Sequence, residues 1–243
     1  MTRGITGGAA IGLFVIAVVT SFYLGGKATP SSIDRTLISS DTMRTRMNEL
    51  KKRLYSPDQD TSGLALGELI KLGTKATPVL LEALAQGNPR TRRLAAEGLG
   101  EIADPAAADA LYRATKDPND EVRARAATAL HALGDPRSVV ALVATINDYP
   151  DILHSPNTAS MYPLMRGGRD VLPLIVPLLR SPDQLTRQRA FLVLRAVVSR
   201  LPQGSDWDHL WQSLDRYDPV APEADRARAA DAWQRWLRTP PAK

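Results

Sequence analysis

The chemistry open to this chain is narrow. It has no cysteine and three histidines, His131, His154 and His209. Without cysteine there is no disulfide, no thiolate metal ligand and no thiol nucleophile. None of the histidines falls in an HExxH or comparable spacing, so a metal centre would also need carboxylates. No G-x-S-x-G, P-loop or dinucleotide fingerprint occurs, and Gly98-Leu99-Gly100 lacks the strand such a motif requires. The residues therefore predict no catalytic group, no metal and no cofactor.

The polar residue that recurs is arginine. Arg92, Arg123 and Arg187 occupy one repeated position in a pattern described below. A guanidinium is a planar fork of donors that fits a carboxylate. Two readings follow. In the preferred one, these arginines brace neighbouring repeats by bonding carboxylates or turn carbonyls, for example around Asp120 or Asp183. In the other they face an acidic partner, with Arg90, Arg93, Arg125 and Arg189 widening the patch.

The elements that must position them are legible in Asp117–Ile146, DPNDEVRARAATALHALGDPRSVVALVATI. Val122, Ala126, Ala127, Leu130 and Leu133 recur at helical spacing after a turn rich in helix-starting residues. Gly134 can stop that helix, and Pro136 suits the start of a second carrying Val139, Val140, Leu142, Val143 and Ile146. A pair of short helices cannot bury its apolar faces alone, so it implies neighbours like itself. A period near 31 supplies them. Leu130 maps to Leu99 and Leu69, Ala126-Ala127 to Ala95-Ala96, Asp135-Pro136 to Asp104-Pro105, and Leu111 to Leu81. Two periods forward, Pro118, Arg123, Ala126 and Leu130 map to Pro182, Arg187, Ala190 and Leu194. Two helices per unit at this period predict an all-α fold, an α-solenoid of about five helical pairs.

On DPNDEVRARAATALHALGDP and NPRTRRLAAEGLGEIADP, and more faintly SPDQLTRQRAFLVLRAV, the chain resembles HEAT-repeat proteins of the short type also found in phycobilin lyases. The resemblance covers roughly residues 56–200. It implies a binding scaffold, because such repeats usually present surfaces to partners.

Four regions are expected. Residues 1–30 hold an apolar span, Ile5–Leu24, flanked by Arg3 and Lys27. Its length matches the about 20 residues that cross a bilayer as a helix. An uncleaved anchor fits better than a secretory signal, whose apolar region is about 7–15 residues long. Gly4, Gly8 and Gly12 within it have the spacing that lets another membrane helix approach closely. Residues 31–55 read as an N-terminal capping helix or helices, Asp41 being a possible cap for a second segment. An alternative is a basic amphipathic helix resting on lipid headgroups.

Residues 56–200 carry the repeats, with the fourth unit, from Asn147 to Arg180, broken by Pro150, Pro156 and Pro163. The interruption at Tyr149–Gly168 is either a contact site, with Tyr149, His154, Tyr162 and Met165 as candidates, or tolerated drift. Residues 201–243 hold all four tryptophans. Trp207 and Trp211 share one helix pattern, and Trp233 and Trp236 share another over Glu223–Arg238. They serve as plugs at the end of the stack or as partner anchors, the plug being preferred.

Net charge is +5, of which Arg3 and Lys27 supply two, so the rest of the chain is only weakly basic. Nucleic acid is not an expected partner, since it requires clustered phosphate contacts. The functional expectation is a non-catalytic, membrane-anchored scaffold serving an integral membrane protein complex, respiratory or photosynthetic among the possibilities, with lipid contacted through the anchor. Localisation is expected as single-pass in a bacterial inner membrane, with the soluble part on the exported side. The alternatives are a lyase-like protein handling a bilin and a free-standing envelope scaffold for soluble clients.

Overall fold

The computed structural model describes residues 32–239, with side chains from residue 41. The apolar span, Gly4, Gly8, Gly12 and the last four residues lie outside the described residues. No helix among the described residues is long and apolar enough to cross a membrane. The chain divides at Asn48 and Glu49 into two units. In the first, residues 32–48 are helical. They belong to α1 (Ser32–Leu54), which runs unbroken through Asp41, so Asp41 caps no second segment.

The second unit begins in the last turns of α1, where Leu50 and Leu54 are buried. Its helices are α2 (Gln59–Lys71), α3 (Thr77–Gln86), α4 (Pro89–Ile102), α5 (Ala108–Ala114), α6 (Asp120–Ala132), α7 (Ser138–Ala144), α8 (Met161–Arg166), α9 (Leu172–Ile175), α10 (Gln184–Val198), α11 (Trp207–Ser213) and α12 (Glu223–Arg238). All-α is the class; no strand is present among the described residues, only an isolated bridge between Pro150 and Thr158.

Aspartate or asparagine starts α2, α4, α6 and α10 for the same reason. The first turn of a helix leaves backbone N–H groups without partners, and a short polar side chain before it can accept one. Asp58, Asn88, Asn119 and Asp183 accept from the N–H of Thr61, Thr91, Val122 and Thr186. At the other end the chain must turn back sharply, which calls for a left-handed residue. Gly73, Ala103 and Gly134 occupy that repeated position with φ of 60°, 54° and 71°. Only Ala103 pays a steric penalty there.

Packing follows the predicted period. Leu69, Leu99, Leu130 and Leu194 are fully buried, as are Ala65, Ala95, Ala126 and Ala190. Small residues set the spacing of the stack: a Cβ on Gly100 would lie 2.9 Å from the Cα of Ala129, so α4 and α6 approach across bare backbone. In the second helices the buried row is Leu80, Leu111 and Leu142. Leu81, aligned with Leu111 from sequence, is half-buried beside it, because the two rows differ by one residue in register. In the fourth unit Pro173 and Pro177 fall in the first turns of α9 and of the 3₁₀ turn Val176–Arg180, breaking one long helix into pieces. Proline tolerates only such starting positions, where its missing N–H costs no bond.

Candidate interaction site at the repeat interruption

The three arginines of the row perform one task. Arg92 grips Asp117 with two bonds of 2.8 Å and bonds the Gly87 carbonyl. Arg123 grips Asp148 at 2.7 and 2.8 Å and bonds the carbonyls of Asp117 and Pro118. Arg187 bonds the carbonyls of Ser181, Pro182 and Pro219. Each ties the turn before its own helix to the start of a later segment. The turn carbonyls lie beside Asp120 and Asp183, as expected, while the carboxylates are Asp117 and Asp148, whose own spacing of one period was the overlooked signal. Burial pushes the Asp117 carboxyl up, but the bonds from Arg92 and the Asn119 N–H outweigh it, and the net shift is downward. These forks are filled from within, so they leave little for an acidic partner.

The tryptophans close the far end. Trp233 has no exposed surface and stacks on Trp207 at 5.8 Å, with Trp236 edge-on at 5.5 Å. Phe191 and Tyr217 continue the cluster. Trp211 donates to the Tyr217 carbonyl, and Tyr217 donates to the Leu179 carbonyl at 2.6 Å. Burial raises the Tyr217 pKa to about 12. Arg169 lies over Trp236 and bonds the last carbonyls of α12. Trp233 therefore offers no face to a partner, while Trp207, Trp211 and Trp236 are half-buried around it.

What remains is the loop between α7 and α8. Asp151 organises it. One carboxylate oxygen accepts the N–H groups of Leu153 and His154, and the other accepts the Tyr162 hydroxyl at 2.6 Å and meets the His154 ring at 2.9 Å. These bonds, the Tyr162 hydroxyl foremost, hold the Asp151 carboxyl at a pKa of about 2. The same bond raises the Tyr162 pKa. At the base, Thr158 is buried and donates to the Ile146 carbonyl. From α10, Arg189 bonds the Pro156 carbonyl and Asn147, although it is 2% exposed. Burial pushes its pKa below the ordinary arginine value.

This bracing displays an apolar pair. Ile152 is 91% exposed and Leu153 88%. Beside them opens a cleft of about 580 Å³ between α6, the loop and α8, with Arg125, His131, Tyr149, Tyr162 and Arg166 in its walls. Tyr149 is left-handed at φ 51°, a conformation that costs a bulky residue energy. Its ring supports Arg125, whose guanidinium carbon is 5.3 Å from the ring centre. The structure thus brings together Tyr149, Tyr162 and His154 from the sequence candidates. Asp151, Ile152 and Leu153 were missed, because an aspartate in a proline-rich loop carries no periodic signal.

Residues 47–121 and 77–154 match the family model of HEAT repeats. Together the two matches span residues 47–154. Among solved structures, the chain is similar to the complex of CpcE and CpcF of phycocyanin lyase from Nostoc sp. PCC7120, at 24% identity over 69% of each chain with a TM-score of 0.45. It is also similar to an engineered protein, at 19% identity over 79% of this chain and 96% of that one, with a TM-score of 0.40. A computationally designed armadillo repeat protein for modular peptide recognition aligns at 15% identity over 77% and 98%, with a TM-score of 0.37. No curated protein matches the sequence. The match to the family model ends inside the interrupting loop, so the candidate site sits where the regular pattern stops.

Proposed function

We propose that this protein is a non-catalytic scaffold, anchored in a membrane by residues 1–30, that docks on an integral membrane protein complex as an accessory or assembly subunit. On this reading the anchor lies in a bacterial inner membrane and the repeats on its exported side. The observation that carries the proposal is the pair Ile152–Leu153. Single apolar side chains on a surface need no explanation, but two adjacent ones held out by a loop that Asp151, Thr158 and Arg189 brace form a preformed knob. Burying each on a partner is worth about 1.5–3 kcal/mol, and the rigid loop avoids an ordering cost at docking. HEAT repeats favour such a role, and the predominantly apolar Ile5–Leu24 supports the anchor.

The test is affinity purification of the full chain from its native membranes in mild detergent. Integral membrane subunits are expected to co-purify, and to be lost with the double substitution Ile152→Ser and Leu153→Ser. Retention of the same subunits by that variant, or purification of the native chain alone, contradicts the proposal.

A further inference from the structure

Resting on that reading, we infer that the cleft beside the Ile152–Leu153 knob binds a carboxylate carried on an apolar segment of the partner. Arg125 is the first reason. It stands at the repeat position of Arg189, whose guanidinium is spent on Pro156 and Asn147. The Nε of Arg125 is enclosed and makes no hydrogen bond. Its nearest carboxylate oxygen is on Glu97 at 3.9 Å, and that oxygen bonds Arg93 at 3.2 Å. The side chain is 32% exposed, so the rest of the guanidinium can be reached from the cleft. A buried N–H without a partner is costly, and a carboxylate meets a guanidinium fork best.

Arg166, across the cleft, is exposed and pairs with no carboxylate among the described residues. The one acid in the lining is Asp151, and both its oxygens are turned to the loop's own donors. The walls are therefore cationic toward an incoming group. Tyr149 supports Arg125 at the expense of a left-handed backbone, and such strain gathers at functional positions. Cationic walls next to an apolar knob complement a segment with acidic and apolar residues side by side.

The test uses the full chain in phosphatidylcholine nanodiscs and three fluorescent peptides read by anisotropy. One is an amidated amphipathic peptide of leucine and glutamate, the second has lysine for glutamate, and the third has glutamine with a free terminal carboxylate. The glutamate peptide is expected to bind, at least ten-fold more tightly than the lysine peptide. Arg125→Gln and Arg166→Glu should each weaken it several-fold, and the exposed position of Arg166 makes that variant safe for folding. Comparable binding of the third peptide would assign the carboxylate to a chain terminus rather than a side chain. Equal binding of glutamate and lysine peptides, no binding of any, or no effect of either substitution overturns the inference. If partner retention still depends on Ile152 and Leu153 in that case, the docking proposal survives alone.

Discussion

Residues 87–146 and residues 147–180 are built from the same repeat, yet they spend their polar groups differently. In the regular stretch, each arginine of the row closes on a carboxylate 25 residues ahead, and the first helix of each unit is capped at the same position. The recurring donors and acceptors are largely consumed between neighbours. In the interrupted stretch the bonds turn inward to fix a loop, and the exposed remainder is apolar and cationic. The difference teaches where binding capacity resides in a stack of this kind. Regular units largely hold themselves together, while the groups left over gather where the irregular unit meets α6.

That division can be broken by substitution. Arg92→Ala removes the grip on Asp117, leaving a half-buried carboxylate without its fork. Denaturant unfolding should show a loss of about 2 kcal/mol, with partner retention unchanged while the protein is folded. Ala103→Gly should raise stability by roughly 0.5–1 kcal/mol by relieving the left-handed alanine, while Gly134→Ala lowers it by a similar amount. An equal response at both positions would contradict the assigned backbone geometry.

The loop has its own acid signature. Because the Asp151 carboxyl is held at about 2 in the folded protein, its contribution is fully present above its ordinary value of 3.8 and is lost as pH falls through about 2. Amide resonances of Leu153 and His154 should shift in that window, and Asp151→Asn should abolish the dependence while leaving the regular units unaffected.

The regular units were readable in the sequence because periodicity is a physical consequence of stacking. Leu99 and Leu130 recur because each fills the same layer, and Asn88 and Asn119 recur because each starts the same helix. The arginine row was visible for that reason, as were its turn carbonyls, though not the carboxylates Asp117 and Asp148. By contrast, the loop is held by Asp151, Thr158 and Arg189, which act once each and across long separations. Nothing in the local pattern marks Arg189 as buried or Arg125, at the same repeat position, as unspent. Their difference arises only when the loop folds between α6 and α10.

The most direct test puts both regions in one experiment: thermal unfolding and partner retention, measured together for Arg92→Ala and for the Ile152→Ser, Leu153→Ser pair. The account predicts that Arg92→Ala melts lower yet keeps its partner below the transition. The loop pair should melt as the native chain does and lose its partner at least ten-fold. Retention by the loop variant, or release by folded Arg92→Ala, would contradict it.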